Sequence, residues 1–259
     1  MKKAAKKSMN FKNYFSTQAA YYAKYRPTYP RALFEYLHSV APRHNQAWDG
    51  ATGNGQAALG LAPFFKHVIA TDASDAQIAN ATKHENITYR VADALRSNIE
   101  DRSIDLVCVA QALHWFELEK FYEEVRRVSR PEGIIAVWSY NLLNISPELD
   151  QMLLWYYRDA VGAYWPPERS MIEDNYRSLF FPFKELNAPP LQMQAKWSLN
   201  ELLGYLRSWS ATQRFIEARG VDPLTNFAEE LRKAWDAPEE KKLVTWPLCI
   251  RVGVVSTTS

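Results

Sequence analysis

Ala47-Trp48-Asp49-Gly50-Ala51-Thr52-Gly53-Asn54-Gly55-Gln56 stands where a short apolar run gives way to a helical pattern. Gly53 and Gly55 can take backbone angles that a Cβ resists, and they let the main chain approach a ligand closely. The stretch therefore reads as a strand, a tight turn and the start of a helix. Further β-rich runs follow at 68–71, 87–91, 105–109 and 134–138, with helical patterns between them. Such alternation predicts a parallel sheet with crossover helices. The runs DLVCV (105–109) and GIIAVW (133–138) are apolar nearly throughout, as central strands covered on both faces should be.

Between those two runs, Leu118, Phe121, Tyr122, Val125 and Val128 share one helical face over 117–128. Arg130-Pro131-Glu132-Gly133 is a turn signal after it. Beyond Tyr140 the pattern becomes helical and aromatic, with Trp155, Tyr156, Tyr157, Tyr164 and Trp165 ahead of Pro166-Pro167. This reads as a cap. Ser198 is a predicted N-cap for a helix towards Trp209, and Pro223 opens another that ends near Trp235. The run 246–255 reads as a closing strand. The expected organisation is a frayed basic tail at 1–12 and one domain over 13–259, its core at about 30–140 and 190–255 and its cap at about 141–190.

Composition excludes several classes of function. The 259 residues are 47% hydrophobic, enough for a packed core. Lys2, Lys3, Lys6 and Lys7 supply four positive charges to a formal net of +2, so the rest of the chain carries −2. A nucleic-acid binder needs a basic footprint, and here the only basic cluster is that tail. No run of about 18 apolar residues argues for a membrane span, and the start does not read as a secretory signal, so the expected location is cytoplasmic. Cys108 and Cys249 lie in apolar runs, where a thiol serves as a small hydrophobe. The five histidines show no ligand spacing, so no metal is expected.

Three aspartates accompany the glycine turn. Asp72 follows Gly53 by 19 residues and ends the second run, where a carboxylate can accept both hydroxyls of a ribose. Asp93 ends the third run, placed to accept from an adenine amino group. Asp49 precedes the turn; there it suits a ligand with an ammonium and a sulfonium and repels a pyrophosphate. Gly53-x-Gly55-x-x-Ala58 also satisfies the dinucleotide fingerprint, which keeps a nicotinamide oxidoreductase open as an alternative. Each aspartate could instead cap a helix after its strand. Gln111 lies just beyond a central strand's carboxyl end, where open α/β sheets bind ligands. His114 could be a general base or a loop anchor; Trp115 could cover an adenine or fill the core.

The turn, the aspartates, 105–116 and Arg130-Pro131-Glu132-Gly133 together resemble the class I S-adenosylmethionine-dependent methyltransferases of the type 11 group. Their turn reads Asp-x-Gly-x-Gly-x-Gly; here Asp49, Ala51, Gly53 and Gly55 hold those places, alanine replacing the first glycine. The resemblance covers about 15–140. Tyr22-Ala23-Lys24-Tyr25-Arg26-Pro27-Thr28-Tyr29-Pro30 with Ala110-Gln111-Ala112-Leu113-His114-Trp115-Phe116 is similar, more narrowly, to the trans-aconitate methyltransferase branch.

The resemblance implies a Rossmann-like α/β fold: a seven-stranded, mostly parallel sheet with flanking helices, an N-terminal helical cover and a helical, aromatic cap after the fifth strand. It implies S-adenosylmethionine as cofactor, bound by Tyr22, Arg26, Asp49, Ala51, Gly53, Gly55, Asp72, Ala73, Asp93, Ala94, Gln111 and Trp115, with Arg26 on the methionine carboxylate. His114 is the one candidate catalytic side chain. A small-molecule acceptor, in the family manner a carboxylate, would want a cation from the segment after Tyr140, Arg158 or Arg169. A cofactor-binding protein without turnover is the remaining alternative.

Overall fold

The computed structural model describes residues 25–256; Tyr22 and most of the predicted N-terminal cover lie outside them. Five parallel strands, β1 (Gln46–Gly50), β2 (His67–Asp72), β3 (Ile87–Val91), β4 (Ile104–Ala110) and β5 (Ser129–Tyr140), coincide with the five predicted runs. Three antiparallel strands complete the sheet: β6 (Lys184–Leu186), β7 (Gln192–Trp197) and β8 (Lys242–Val254). The order is β3-β2-β1-β4-β5-β8-β6, with β7 paired to the first half of β8. The sheet thus has eight strands rather than seven. The extra one arises because β8 is long enough to pair with β7 over Lys242–Pro247 and with β5 over Leu248–Val254.

The apolar runs are explained by the two-residue period of a strand. Leu106 and Cys108 of β4 face one core with Ala47, Ala136 and Trp138, while Val107 and Val109 face another with Trp48, Ile135 and Val137. Each face is covered by helices. Leu33, Phe34 and Leu37 of the helix Arg31–Val40 pack on one side, and Phe121, Tyr122, Val125 and Val128 of Leu118–Val128 on the other. Fully burying such an aliphatic or aromatic side chain stabilises by about 1.5–3 kcal/mol.

Arg130–Gly133 does not end the chain's pairing with β4. The register jumps from Ile104 opposite Ser129 to Leu106 opposite Ile134, and Glu132 takes φ +62°. The turn signal is thus realised as a bulge inside β5.

A third core holds the cap. Leu149, Tyr156 and Tyr157 from the segment after β5 meet Leu202, Tyr205 and Trp209, then Phe227 and Trp235, from three later helices. Ser198 does cap its helix, Leu199–Arg207, in a reciprocal capping box with Glu201. Pro223 precedes Leu224–Ala234 as expected. Between them lies a helix that the sequence pattern had not disclosed, Ser210–Arg219, which buries only Ala211 and Thr212. No helix among the described residues is long and apolar enough to cross a membrane.

Candidate active site

The chain runs β1 to β2 to β3 in one direction and returns to β4 on the other side of β1, so the sheet has a switch point between β1 and β4. Loops from neighbouring strands part there and leave a crevice at the carboxyl ends. The glycine turn fills one side of it. Asp72 Oδ2 accepts from the Gly53 N–H at 2.9 Å, and Oδ1 from the Ser74 N–H at 2.8 Å. The turn and the second aspartate are therefore in direct contact. Burial raises the Asp72 pKa, and the two backbone donors oppose that rise.

Ala51, Gly53 and Gly55 all have positive φ, at +55°, +57° and +89°. A Cβ on Gly55 would lie 2.3 Å from Tyr89 Oη, whereas one on Gly53 would meet nothing within 4 Å. Gly55 closes the packing and Gly53 faces open space. Asp49 lies beneath the turn, fully buried. Its Oδ2 accepts from Thr52 Oγ1 at 2.5 Å and the Ala58 N–H at 3.0 Å, while its Oδ1 is buried with no hydrogen-bond partner. Burial drives its pKa up to about 7, against the pull of those two donors. An orphaned carboxylate oxygen under an open backbone cradle fits a cationic ligand.

Ala73 follows Asp72 on the surface, and Ala92 N–H donates to Asp72 O at 3.0 Å, which brings Asp93 to the adjoining strand end. Asp93 Oδ1 caps the Leu95 N–H at 2.9 Å, and Ala94 beside it is buried. Gln111, at φ +56° just past β4, donates from Nε2 to Tyr140 O at 3.0 Å; its Oε1 is a second buried acceptor without a partner.

Beside this half-site lies a cavity of about 120 Å³. Gln111, His114 and Trp115 line it from the β4 side, Arg26 from the N-terminal strap that leads into the helix Arg31–Val40, Tyr140 from β5, and Asn141, Trp165 and Arg169 from the first part of the cap. Tyr205, Trp209 and Arg214 close it from the later helices. The three arginines are held in place. Arg26 donates to Tyr140 Oη at 2.6 Å and lies over the Tyr205 ring. Arg169 donates to Tyr157 Oη at 2.9 Å and Asn141 Oδ1 at 3.0 Å, its Cζ 4.7 Å from the centroid of the Trp165 ring. Arg214 reaches Tyr164 O at 3.4 Å. No carboxylate lines the cavity among the described residues. His114 is buried there, and desolvation, with the Arg169 charge adding to it, pushes its pKa down to about 3.

The methyltransferase domain of the type 11 group matches residues 48–137. A Dictyostelium discoideum protein named as a methyltransferase is 35% identical over 239 residues, 90% of this chain and 91% of its own. The solved structure of a type II methyltransferase from Anaeromyxobacter dehalogenans is similar at a TM-score of 0.85 and 45% identity, covering 90% of this chain and 99% of that one. The chain belongs to the S-adenosylmethionine-dependent methyltransferases. An S-adenosylmethionine-dependent methyltransferase of Saccharomyces cerevisiae is 30% identical over 184 residues, 64% of this chain and 59% of its own. The nicotinamide reading rested only on Gly53, Gly55, Ala58 and Asp72, and it falls with the reading of a binder without turnover.

In this methyltransferase Ala51, Gly53, Gly55, Asp72, Ala73, Asp93 and Ala94 lie at or just past the carboxyl ends of β1, β2 and β3, with Asp49 one layer below, whereas Arg26, Gln111, His114 and Trp115 line the cavity, which none of the former residues does. Tyr22 is outside the described residues. Of the two cap cations, Arg169 lines the cavity, whereas Arg158 is solvent-exposed and is not among the lining residues. Of the five cap aromatics only Trp165 lines it; Tyr156 and Tyr157 are core and Trp155 is half exposed. Sequence reading missed Arg214, Tyr205 and Trp209, because they come from helices that meet the sheet only through folding.

Proposed function

We propose that the chain moves the methyl group to a small anionic acceptor, a carboxylate in the manner of the trans-aconitate branch that its Tyr22–Pro30 and 110–116 motifs resemble. One observation carries this reading. Arg169 and Arg214, with Arg26 left for the methionine carboxylate of the cofactor, line an aromatic-walled cavity that has no carboxylate among its described lining residues and that Gln111 joins to the carboxyl end of β4. Arginine forks match carboxylates in two-point geometry, and the aromatic walls exclude water that would weaken the attraction.

S-adenosylmethionine, when bound, supplies an already activated methyl group. Gly53 and Asp72 would hold its ribose end, Asp93 and Ala94 its adenine, and Asp49 its ammonium. Gln111 and Trp115, which line the cavity from the β4 side, would separate it from the acceptor. The protein's contribution is alignment, which for a well-placed pair can supply about 7–11 kcal/mol of the barrier. The aromatic rings Trp165 and Trp209 add a face favourable to positive charge. A carboxylate acceptor releases no proton, which agrees with a cavity whose only imidazole is held neutral. The test is labelled-methyl transfer to panels of small carboxylic acids, phenols and amines. Label in the acids is expected; label only in phenols or amines overturns the anionic reading.

A further inference from the structure

Asn175 and Tyr176 are consecutive non-glycine residues in left-handed backbone, at φ +58° and +57°. Such strain persists only where surrounding contacts over-determine it, and it collects at functional sites. Here three contacts hold the turn. The Tyr176 N–H donates to Met171 O at 2.8 Å, Arg251 Nη1 donates to Tyr176 O at 3.0 Å, and Cys249 Sγ donates to Asn175 O at 2.7 Å. The result is that the fully buried phenol of Tyr176 places its Oη 3.0 Å from His114 Nδ1.

Two further groups approach the Tyr176 hydroxyl oxygen as donors, the His114 backbone N–H and the Ser139 hydroxyl; the buried phenol hydrogen, costly to leave without an acceptor, then goes to His114 Nδ1. A neutral imidazole that accepts at Nδ1 must carry its own hydrogen on Nε2. His114 lines the cavity, so with Nδ1 turned to Tyr176 the Nε2–H is what the ring offers there. The charged group that faces it is the Arg169 guanidinium, with Arg26 and Arg214 also on the cavity wall and no carboxylate among the described lining residues. Nothing there favours an imidazolium.

We propose that Tyr176 is a positioning residue that locks His114 as the Nε2–H tautomer, so that His114 donates a hydrogen bond to the acceptor's anionic oxygen instead of removing a proton. The donor's target rests on the anionic-acceptor reading above; the locked tautomer does not. Bond making is unchanged by it: the acceptor oxygen's lone pair forms the O–C bond as the C–S bond electrons return to sulfur, and the Nε2 hydrogen stays on nitrogen. Trp115 and Leu113, which flank His114 on the same short turn after β4, fix the ring's backbone.

Imidazole 15N NMR of the full chain saturated with S-adenosylhomocysteine, with H114Q used to assign the signal, reads the tautomer without any acceptor. Expected is a protonated Nε2 and an unprotonated Nδ1 from pH 5 to 9, with both tautomers populated in Y176F. An Nδ1–H signal, or titration between pH 5 and 8, overturns the proposal. With a carboxylate methylated in the panel above, H114A should lose about ten- to a hundredfold in kcat/KM, as expected for a hydrogen bond to a charged group. H114Q, whose amide keeps a donor near the Nε2 position and can accept no proton, should recover most of that loss. Equal loss in H114Q and H114A overturns the donor role. Y176F should lower kcat about two- to tenfold with the KM for S-adenosylmethionine unchanged. A panel in which no carboxylate is methylated removes the acceptor assignment, while the NMR result still decides the tautomer.

Discussion

Gly53→Ala and Gly55→Ala are chemically identical changes in the same turn, yet the structure gives them opposite consequences. At Gly53 the added Cβ meets no protein atom, so the cost to stability is the left-handed backbone alone, about 1–2 kcal/mol. For a chain of this size that lowers Tm by about 2–8 °C. At Gly55 the same strain is joined by a clash with Tyr89, whose ring must swing away and give up its hydrogen bond to Thr82 O. That adds about 1 kcal/mol or more, so Gly55→Ala should be the less stable variant by several degrees.

Ligand response should run the other way. The proposed cofactor cradle opens into the space beside Gly53, so a methyl there should displace ligand. At S-adenosylhomocysteine one hundred times Kd, the folded wild type gains about 2.7 kcal/mol. A tenfold weaker Kd cuts the gain to about 1.4 kcal/mol, roughly halving the Tm shift. Differential scanning fluorimetry with and without ligand reads both effects. A Gly53→Ala protein that melts a few degrees lower yet keeps the whole ligand-induced shift would refute the cradle.

Three further expectations follow from other parts of the molecule. Asp49 has a folded-state pKa of about 7, raised by burial, so its ionised form is scarce below that pH; a ligand ammonium favours that form, and cofactor affinity should therefore fall by up to about tenfold per pH unit below 7 and level off above it. Isothermal titration at pH 5.5, 6.5 and 8 checks this, and Asp49→Asn should weaken binding and flatten the profile. Arg214→Gln and Arg169→Gln should raise the acceptor KM by about tenfold or more while leaving S-adenosylhomocysteine binding within a factor of two, and loss of cofactor binding instead would move these arginines to the cofactor side. Ser198→Ala removes the capping box of the helix Leu199–Arg207 and should cost about 1 kcal/mol, a Tm drop of about 2–4 °C, with no change in cofactor response.

The proposed cofactor half of the site was legible because it is local. Each of its residues sits at the end of a strand whose apolar run is visible in sequence, and strand ends in a parallel sheet share an edge. Asp72 reaching Gly53 follows from β2 pairing in register with β1, Thr71 opposite Gly50. The strands β6 and β7 were not legible. KEL is too short to show a period, and QMQAKW buries only Met193 and Trp197, too few to set a pattern. The helix Ser210–Arg219 escaped for a similar reason, since most of its residues are half or fully exposed and its polar composition shows no apolar stripe.

By itself the sequence determined the parallel sheet, the glycine turn with its aspartates, and the family; periodicity and turn chemistry act over a few residues and are written directly in the chain. Only the tertiary structure decided what lines the cavity. Arg26, Arg169 and Arg214 come from an N-terminal strap, the first cap segment and a late helix, and burial of the aromatic core between them is what turns three distant cations toward one cavity. The same packing withdrew Tyr156 and Tyr157 into that core and left Arg158 in solvent, while the core on one face of the sheet set Tyr176 behind His114.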